Sequence, residues 1–180
     1  MAVDAFIWFE KPGAGAAKLP EGETLDKTYS KKKAFEIKDF SFGVENPTTI
    51  GSATGGAGAG KIKFNEFTIK KTTDKASPTF FKNCCTGTHY GSVTIEMRKA
   101  GGDPMSAGTP FLRFKFETVF TTKIDWSGPG DEGPEESITF VFGQFGVQYI
   151  VQTEKGGAGD DKPFEGWDQV KNVDYGSILA

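Results

Sequence analysis

The feature that most constrains this chain is alternation of apolar and polar residues at period two. Val93, Ile95 and Met97 alternate with Ser92, Thr94, Glu96 and Arg98. Leu112, Phe114 and Phe116 alternate with Arg113, Lys115 and Glu117, and Ile138, Phe140 and Phe142 with Ser137 and Thr139. Phe145, Val147, Tyr149 and Val151 continue on odd positions. Successive side chains of a strand point to opposite faces, so each run puts one face into a core. Gly143-Gln144 separates the last two runs, and a two-residue Gly-X linker predicts a tight hairpin there. Two runs change phase midway, at Lys38-Asp39 and at Asn65-Glu66. A one-residue slip flips every later side chain, so each slip predicts a bulge that bends the strand, or a strand that crosses from core to subunit contact. Both readings fit a small barrel that oligomerises.

One short helix is expected over about residues 77–87. Ser77 suits the cap, Pro78 the first turn and Gly87 the exit. Phe80, Phe81, Cys84 and Cys85 then share a face, which places both thiols at or near the core. Three segments read as loops: residues 11–30, 46–60 and 127–136. The second is dominated by Gly, Ala and Thr, and a loop of that length is usually functional. Residues 3–9 read as a first strand that is apolar on both faces. Ile7 and Phe9 line one face and Phe6 and Trp8 the other, so it must be covered twice. One cover is the core. A neighbouring subunit on Phe6 and Trp8 is the expected second.

The chain has 180 residues, enough for one domain, 1–180, with a core that needs no staples. Its net charge of −3 lacks the basic stripe of a nucleic-acid binder. The two cysteines are adjacent, which disulfide geometry disfavours, so a reducing compartment is expected. The first residues lack a basic region and a long apolar stretch, so no cleaved signal peptide is expected. No apolar run approaches the ~20 residues of a membrane span.

Little catalytic chemistry is present. His89 is the single histidine, and Cys84, Cys85 and His89 supply one ligand too few for a structural zinc site. Cys84 or Cys85 with His89 can form a nucleophile–base pair in principle, but the apolar face favours packing. The string Gly55-Gly56-Ala57-Gly58-Ala59-Gly60 leads into a strand, not a helix, which argues against a phosphate loop. No catalytic residue, metal or cofactor is assigned.

Several blocks in order resemble the haemolysin-coregulated protein (Hcp) family of type VI secretion. They are Phe40-Ser41-Phe42-Gly43-Val44-Glu45-Asn46-Pro47, the glycine-rich loop after it, and Lys61-Ile62-Lys63-Phe64. Thr73-Asp74-Lys75-Ala76-Ser77-Pro78 and Thr86-Gly87-Thr88-His89 follow. Then come Val93-Thr94-Ile95-Glu96-Met97-Arg98-Lys99-Ala100-Gly101-Gly102, Glu135-Glu136-Ser137-Ile138-Thr139-Phe140 and Gly166-Trp167-Asp168. Residues 10–33 depart from the pattern, being longer and richer in Gly and Pro. The resemblance implies a mainly β fold: a compact β-barrel of two antiparallel sheets, one flanking helix and an extended loop at 45–60. It implies a structural, non-enzymatic subunit whose homohexameric rings stack into the inner tube of an injection machine. Effector proteins ride in the lumen, spike and sheath proteins are further partners, and neither nucleic acid nor membrane insertion is involved. The subunit is then cytoplasmic before firing and secreted afterwards. Glu45, Asn46, Pro47, Thr48, Thr49 and Ile50 are the expected contacts to the next ring. The rival readings are a tail-tube protein of a contractile phage-like particle, a β-sandwich carbohydrate-binding module, and a Cys–His hydrolase.

Overall fold

The computed structural model describes residues 3–12, 18–48, 61–99, 108–131, 133–153 and 157–176. The strands are β1 (Val3–Pro12), β2 (Phe35–Glu36), β3 (Asp39–Ser41), β4 (Val44–Glu45), β5 (Lys63–Phe64) and β6 (Phe67–Thr72). One helix follows, α1 (Ser77–Thr86). Then come β7 (His89–Lys99), β8 (Pro110–Gly130), β9 (Gly133–Val141), β10 (Gln144–Tyr149), β11 (Phe164–Asp168) and β12 (Val173–Asp174). The fold is mainly β, and every pairing is antiparallel.

The four alternating runs all form strands, and their apolar faces meet. Val93, Ile95, Phe116, Ile138 and Phe140 are at most 1% exposed and share a core with Ile7, Phe9, Phe67 and Ile69. Phenylalanines dominate this core. Phe67 stacks on Phe116 and Phe140 at centroid distances of 4.2 and 4.7 Å, and Phe9 meets Phe80, Tyr90 and Phe140 within 5.8 Å. Each buried ring contributes about 1.5–3 kcal/mol of transfer free energy.

Strand β8 organises the whole. It pairs with β7 on one edge. On the other it pairs with β10 over Leu112–Glu117 and with β9 over Phe120–Gly130. β9 and β10 are therefore one long partner of β8, interrupted where Gly143 N donates to the carbonyls of Glu117 and Thr118. The tight hairpin expected at Gly143-Gln144 does not form. Thr118 takes φ +54° instead, and the extra residue is absorbed as an irregularity within a much longer hairpin. The expected loop at 127–136 is likewise mostly strand, turning only between Gly130 and Gly133.

Ten strands form one bent sheet. One part runs β12-β11-β10-β8-β7-β1-β2, and the other runs β3-β6-β9 and joins at β8. Among the described residues a second sheet contains β4 and β5. The expected closed barrel is corrected here: the pairing path stays open between β2 and β3. The expected bulges at the two phase slips are also corrected, because both slips are strand breaks where the chain changes partner. Phe35–Glu36 pair with β1, and after the break Asp39–Ser41 pair with β6. Lys63–Phe64 pair with β4, and after Asn65-Glu66 the chain joins β3 and β9. Ile37 N donates to Ala5 O and Lys38 N to Lys70 O, so the backbone is satisfied across the first break.

Helix α1 appears where expected. Gly87 leaves it in the left-handed conformation, φ +63°. Ser77 lies inside the helix rather than capping it, and its hydroxyl donates to Glu136. Ser77, Phe80 and Asn83 are the buried row. Adjacent helix residues lie about 100° apart, so Phe80 and Phe81 cannot both face inward. Phe81 is 52% exposed, Cys84 is partly buried and Cys85 is exposed, which corrects the core placement of the thiols.

Candidate assembly surfaces

The outward face of β1 and β7 is polar on β7, yet Ser92, Thr94 and Glu96 are buried. Residues 18–34, most of which fall in the loop expected at 11–30, lie over that face as a strap. Tyr29 stacks on Phe6 at 4.0 Å with nearly parallel planes. Its hydroxyl donates to Glu96, 2.8 Å away. Lys32 Nζ sits 3.9 Å from the centre of the Trp8 ring, a cation–π contact. Arg98 donates to Asp26 on the strap and Asp4 on β1, and Arg113 on β8 donates to Glu96. Burial opposes the charge of both Asp26 and Arg98. The pairing more than offsets it: backbone N–H groups of Tyr29 and Thr28 and the Arg98 guanidinium hold Asp26 low, and the aspartates hold Arg98 high. Burial, then Glu96, pushes the Tyr29 phenol well above its usual range.

Phe6 and Trp8 are only 2% and 4% exposed, packed with Tyr29 and Ala34. The sequence argument for a neighbouring subunit on these two residues is thereby removed, because the chain supplies its own second cover. Tyr29 was the overlooked signal: one large aromatic in a segment otherwise rich in small and charged residues.

The second surface is the β4–β5 hairpin. Val44 pairs with Phe64 and Glu45 with Lys63. Glu45, Asn46, Pro47 and Thr48 are exposed, and the Thr48 hydroxyl donates back to Asn46. Thr49 and Ile50, with the glycine-rich segment after them, lie outside the described residues. At its base Phe42 and Phe64 pack on Phe142 and Phe145. So β4 and β5 are anchored at one end and project at the other.

A third cluster is buried. Lys71, 1% exposed, lies 2.6 Å from Glu136 and 2.9 Å from Asp74. Ser77 and Trp126 also donate to Glu136. Four elements, β6, β8, β9 and α1, are tied at this point, and Lys71 also donates to the Thr72 carbonyl. Such a cluster is costly to break from one side, because the remaining charge is left buried.

The candidate Cys–His pair is not assembled. Among the described residues neither thiol hydrogen-bonds to His89, whose ring packs 5.0 Å from Phe120. Burial pushes the Cys84 thiol up, away from the thiolate a nucleophile needs. No three metal-ligating side chains converge among the described residues. Among the described residues no helix is long and apolar enough to cross a membrane. The carbohydrate-binding reading wants a row of exposed aromatics; of the three tryptophans Trp8 is buried, Trp167 is partly buried and Trp126 is half exposed.

The family model described as type VI secretion system effector, Hcp, matches residues 8–149. The protein hcp1 of Pseudomonas aeruginosa is 31% identical over 115 residues, covering 63% of this chain and 68% of that protein. A solved structure of a type six secretion system protein superposes with a TM-score of 0.81 at 27% identity, covering 97% of this chain and all of the other. Hcp1 from Salmonella typhimurium shares the fold, with a TM-score of 0.71 at 22% identity over 97% of this chain and 100% of that one. The order of blocks in the sequence, the two-part sheet with its single helix, and these matches agree: the chain belongs to the Hcp family of type VI secretion system proteins.

Proposed function

We propose that the chain is a structural, non-enzymatic subunit whose homohexameric rings stack into a secretion tube. Effector proteins would occupy the lumen, and spike and sheath proteins would contact the tube. The subunit would assemble in the cytoplasm and then leave the cell. The observation that carries this reading is the projecting β4–β5 hairpin. Its Val44 is 52% exposed, and Glu45 to Thr48 have no core of their own beneath them. Ordering a backbone costs about 1–2 kcal/mol per residue, and a segment of Gly, Ala and Thr gains little from its own fold to offset it. A contact from outside the subunit supplies that offset. We place residues 45–50 against the next ring.

Within the ring, a neighbour on Phe6 and Trp8 would have to displace the strap. The aromatic pair Phe81 and Trp126 is more accessible: the rings lie 6.2 Å apart and each residue is about half exposed. It is the better candidate for the ring contact. Electron microscopy and light scattering of the purified protein test the whole reading. Six-membered rings and stacked rings are expected. A strictly monomeric mass at tens of micromolar would overturn it.

A further inference from the structure

The strand registers bring one amine and one carboxylate together inside the fold. Lys71 on β6 lies opposite Glu136 on β9, and Glu136 lies opposite Trp126 on β8. Three strands thus set these side chains in one row, and the first turn of α1 closes over it with Ser77. Lysine and glutamate are almost never fully buried unless paired. Here each is 1% exposed. Lys71 Nζ is 2.6 Å from Glu136 Oε1, with the centres of the Phe35 and Phe80 rings 5.1 and 5.9 Å away.

That environment holds what amide formation needs. A nitrogen in contact with a carboxylate oxygen stands roughly 3–3.5 Å from the carboxyl carbon, the separation of a near-attack arrangement. Asp74 Oδ1 lies 2.9 Å from the same nitrogen, where it can relay a proton. Ser77 Oγ and Trp126 Nε1 donate to the two Glu136 oxygens at 2.9 and 3.0 Å, aimed at the charge that builds there during attack. Burial keeps competing water away and makes a neutral amine facing a neutral acid less costly than two ions. Lys71, Thr73 and Asp74 also line a cavity of about 480 Å³, a way out for a released water. The Thr73 hydroxyl is buried without a hydrogen-bond partner among the described residues.

We propose that Lys71 and Glu136 form a modification site, at which they condense within the folded chain into an amide cross-link between β6 and β9. The Lys71 ammonium gives one proton directly to the Glu136 carboxylate and attacks Cδ as the free amine. The N–Cδ bond forms and one Cδ–O bond breaks. The departing oxygen leaves as water with two of the three ammonium protons, the second carried across by Asp74. The third proton stays on the amide nitrogen, so atoms and charge balance with no oxidant, reductant or cofactor consumed. The product replaces two buried ions with one neutral group. It also restrains the unfolded chain as a disulfide would, but in reducing and oxidising surroundings alike. This inference is independent of the stacking reading.

Intact mass spectrometry of the purified full chain, held folded for days at neutral pH and then denatured, is the test. The wild type should weigh one water less than its sequence. Tandem fragmentation of a tryptic digest should find one branched peptide joined through Lys71 and Glu136. Lys71→Met should keep the full sequence mass. Asp74→Asn should reach the lighter mass roughly a hundred-fold more slowly, because the proton relay is gone. The wild type alone decides whether the bond forms, so a variant that fails to fold leaves the test intact. A wild type at full sequence mass overturns the proposal, since a purely structural ion pair loses no water. A water loss that maps elsewhere, with Lys71 and Glu136 in separate peptides, overturns it too. An Asp74→Asn chain that cross-links as fast as the wild type overturns the part given to Asp74.

Discussion

The strap and the β4–β5 hairpin both read as long connections in the sequence, the strap rich in charged and small residues and the hairpin's loop in Gly, Ala and Thr. They end differently. The strap is fastened to the sheet by Tyr29, Ala34, Lys32 and Asp26, and it buries Phe6 and Trp8. Among the described residues the hairpin strands pair with each other alone, and Val44 through Thr48 are exposed. What separates them is a handful of side chains that can reach a partner. A connection becomes part of the fold when its contacts outweigh the entropy of ordering it; otherwise it stays available to another subunit.

The largest expected effect is at the strap's anchor. Tyr29→Ala removes a fully buried ring and leaves Glu96 short of a donor, so unfolding free energy should fall by about 3–4 kcal/mol. Denaturant titration measures it, and a loss under about 1 kcal/mol would mean the strap is not held at Tyr29. Arg98→Met removes the guanidinium that sits 4.9 Å from the Phe6 ring centre and frees Asp26 and Asp4. A loss of about 2 kcal/mol is expected, because Asp26 is then left partly buried without its cation. If both variants retain full stability, the contrast between the two connections disappears.

A pH titration sharpens the comparison. Asp26 is held below its ordinary carboxylate value of 3.8 in the folded chain. A depressed folded value contributes stability above the unfolded value and loses it as pH falls through the folded one. The wild type should therefore be more stable than Asp26→Asn near neutrality, and the difference should shrink as pH falls below roughly 4. A difference that is constant down to pH 2 would remove Asp26 from the latch. The smallest expected effect is at the hairpin. Deleting residues 48–58 should change unfolding free energy by less than about 1 kcal/mol, since shortening a loop alters closure entropy only slowly. The same deletion should abolish stacking while six-membered rings persist. Stacks that form without the loop would show that the two connections do not divide the work of folding and assembly.

Period-two alternation identified β7, β8, β9 and β10, with Val93, Ile95, Phe116, Ile138 and Phe140 on the core side, because side-chain alternation is set within each strand. Pro78 and Gly87 located α1 for the same local reason. The thiols were misplaced because a ten-residue helix offers one narrow buried row, and only the neighbouring strands decide which row that is. The slips at Lys38-Asp39 and Asn65-Glu66 were visible as slips, but not as exchanges of partner. β11 and β12 carry too few alternating residues to stand out, and the phase break at Gly143 disguised β9 and β10 as two arms of a short hairpin.

What the sequence determined by itself is therefore local or ordered along the chain: the strand periods, the helix with its exit, and the succession of blocks that marks the Hcp family. What only the tertiary structure decided is which strand lies beside which, whether the pairing path closes, and which connection is fastened down. Those outcomes depend on contacts such as Tyr29 with Glu96 and Lys71 with Glu136, each more than sixty residues apart in the chain. Residue order fixes which face a side chain takes within its own strand, but a partner that far away is chosen by packing, because its approach depends on every element folded in between.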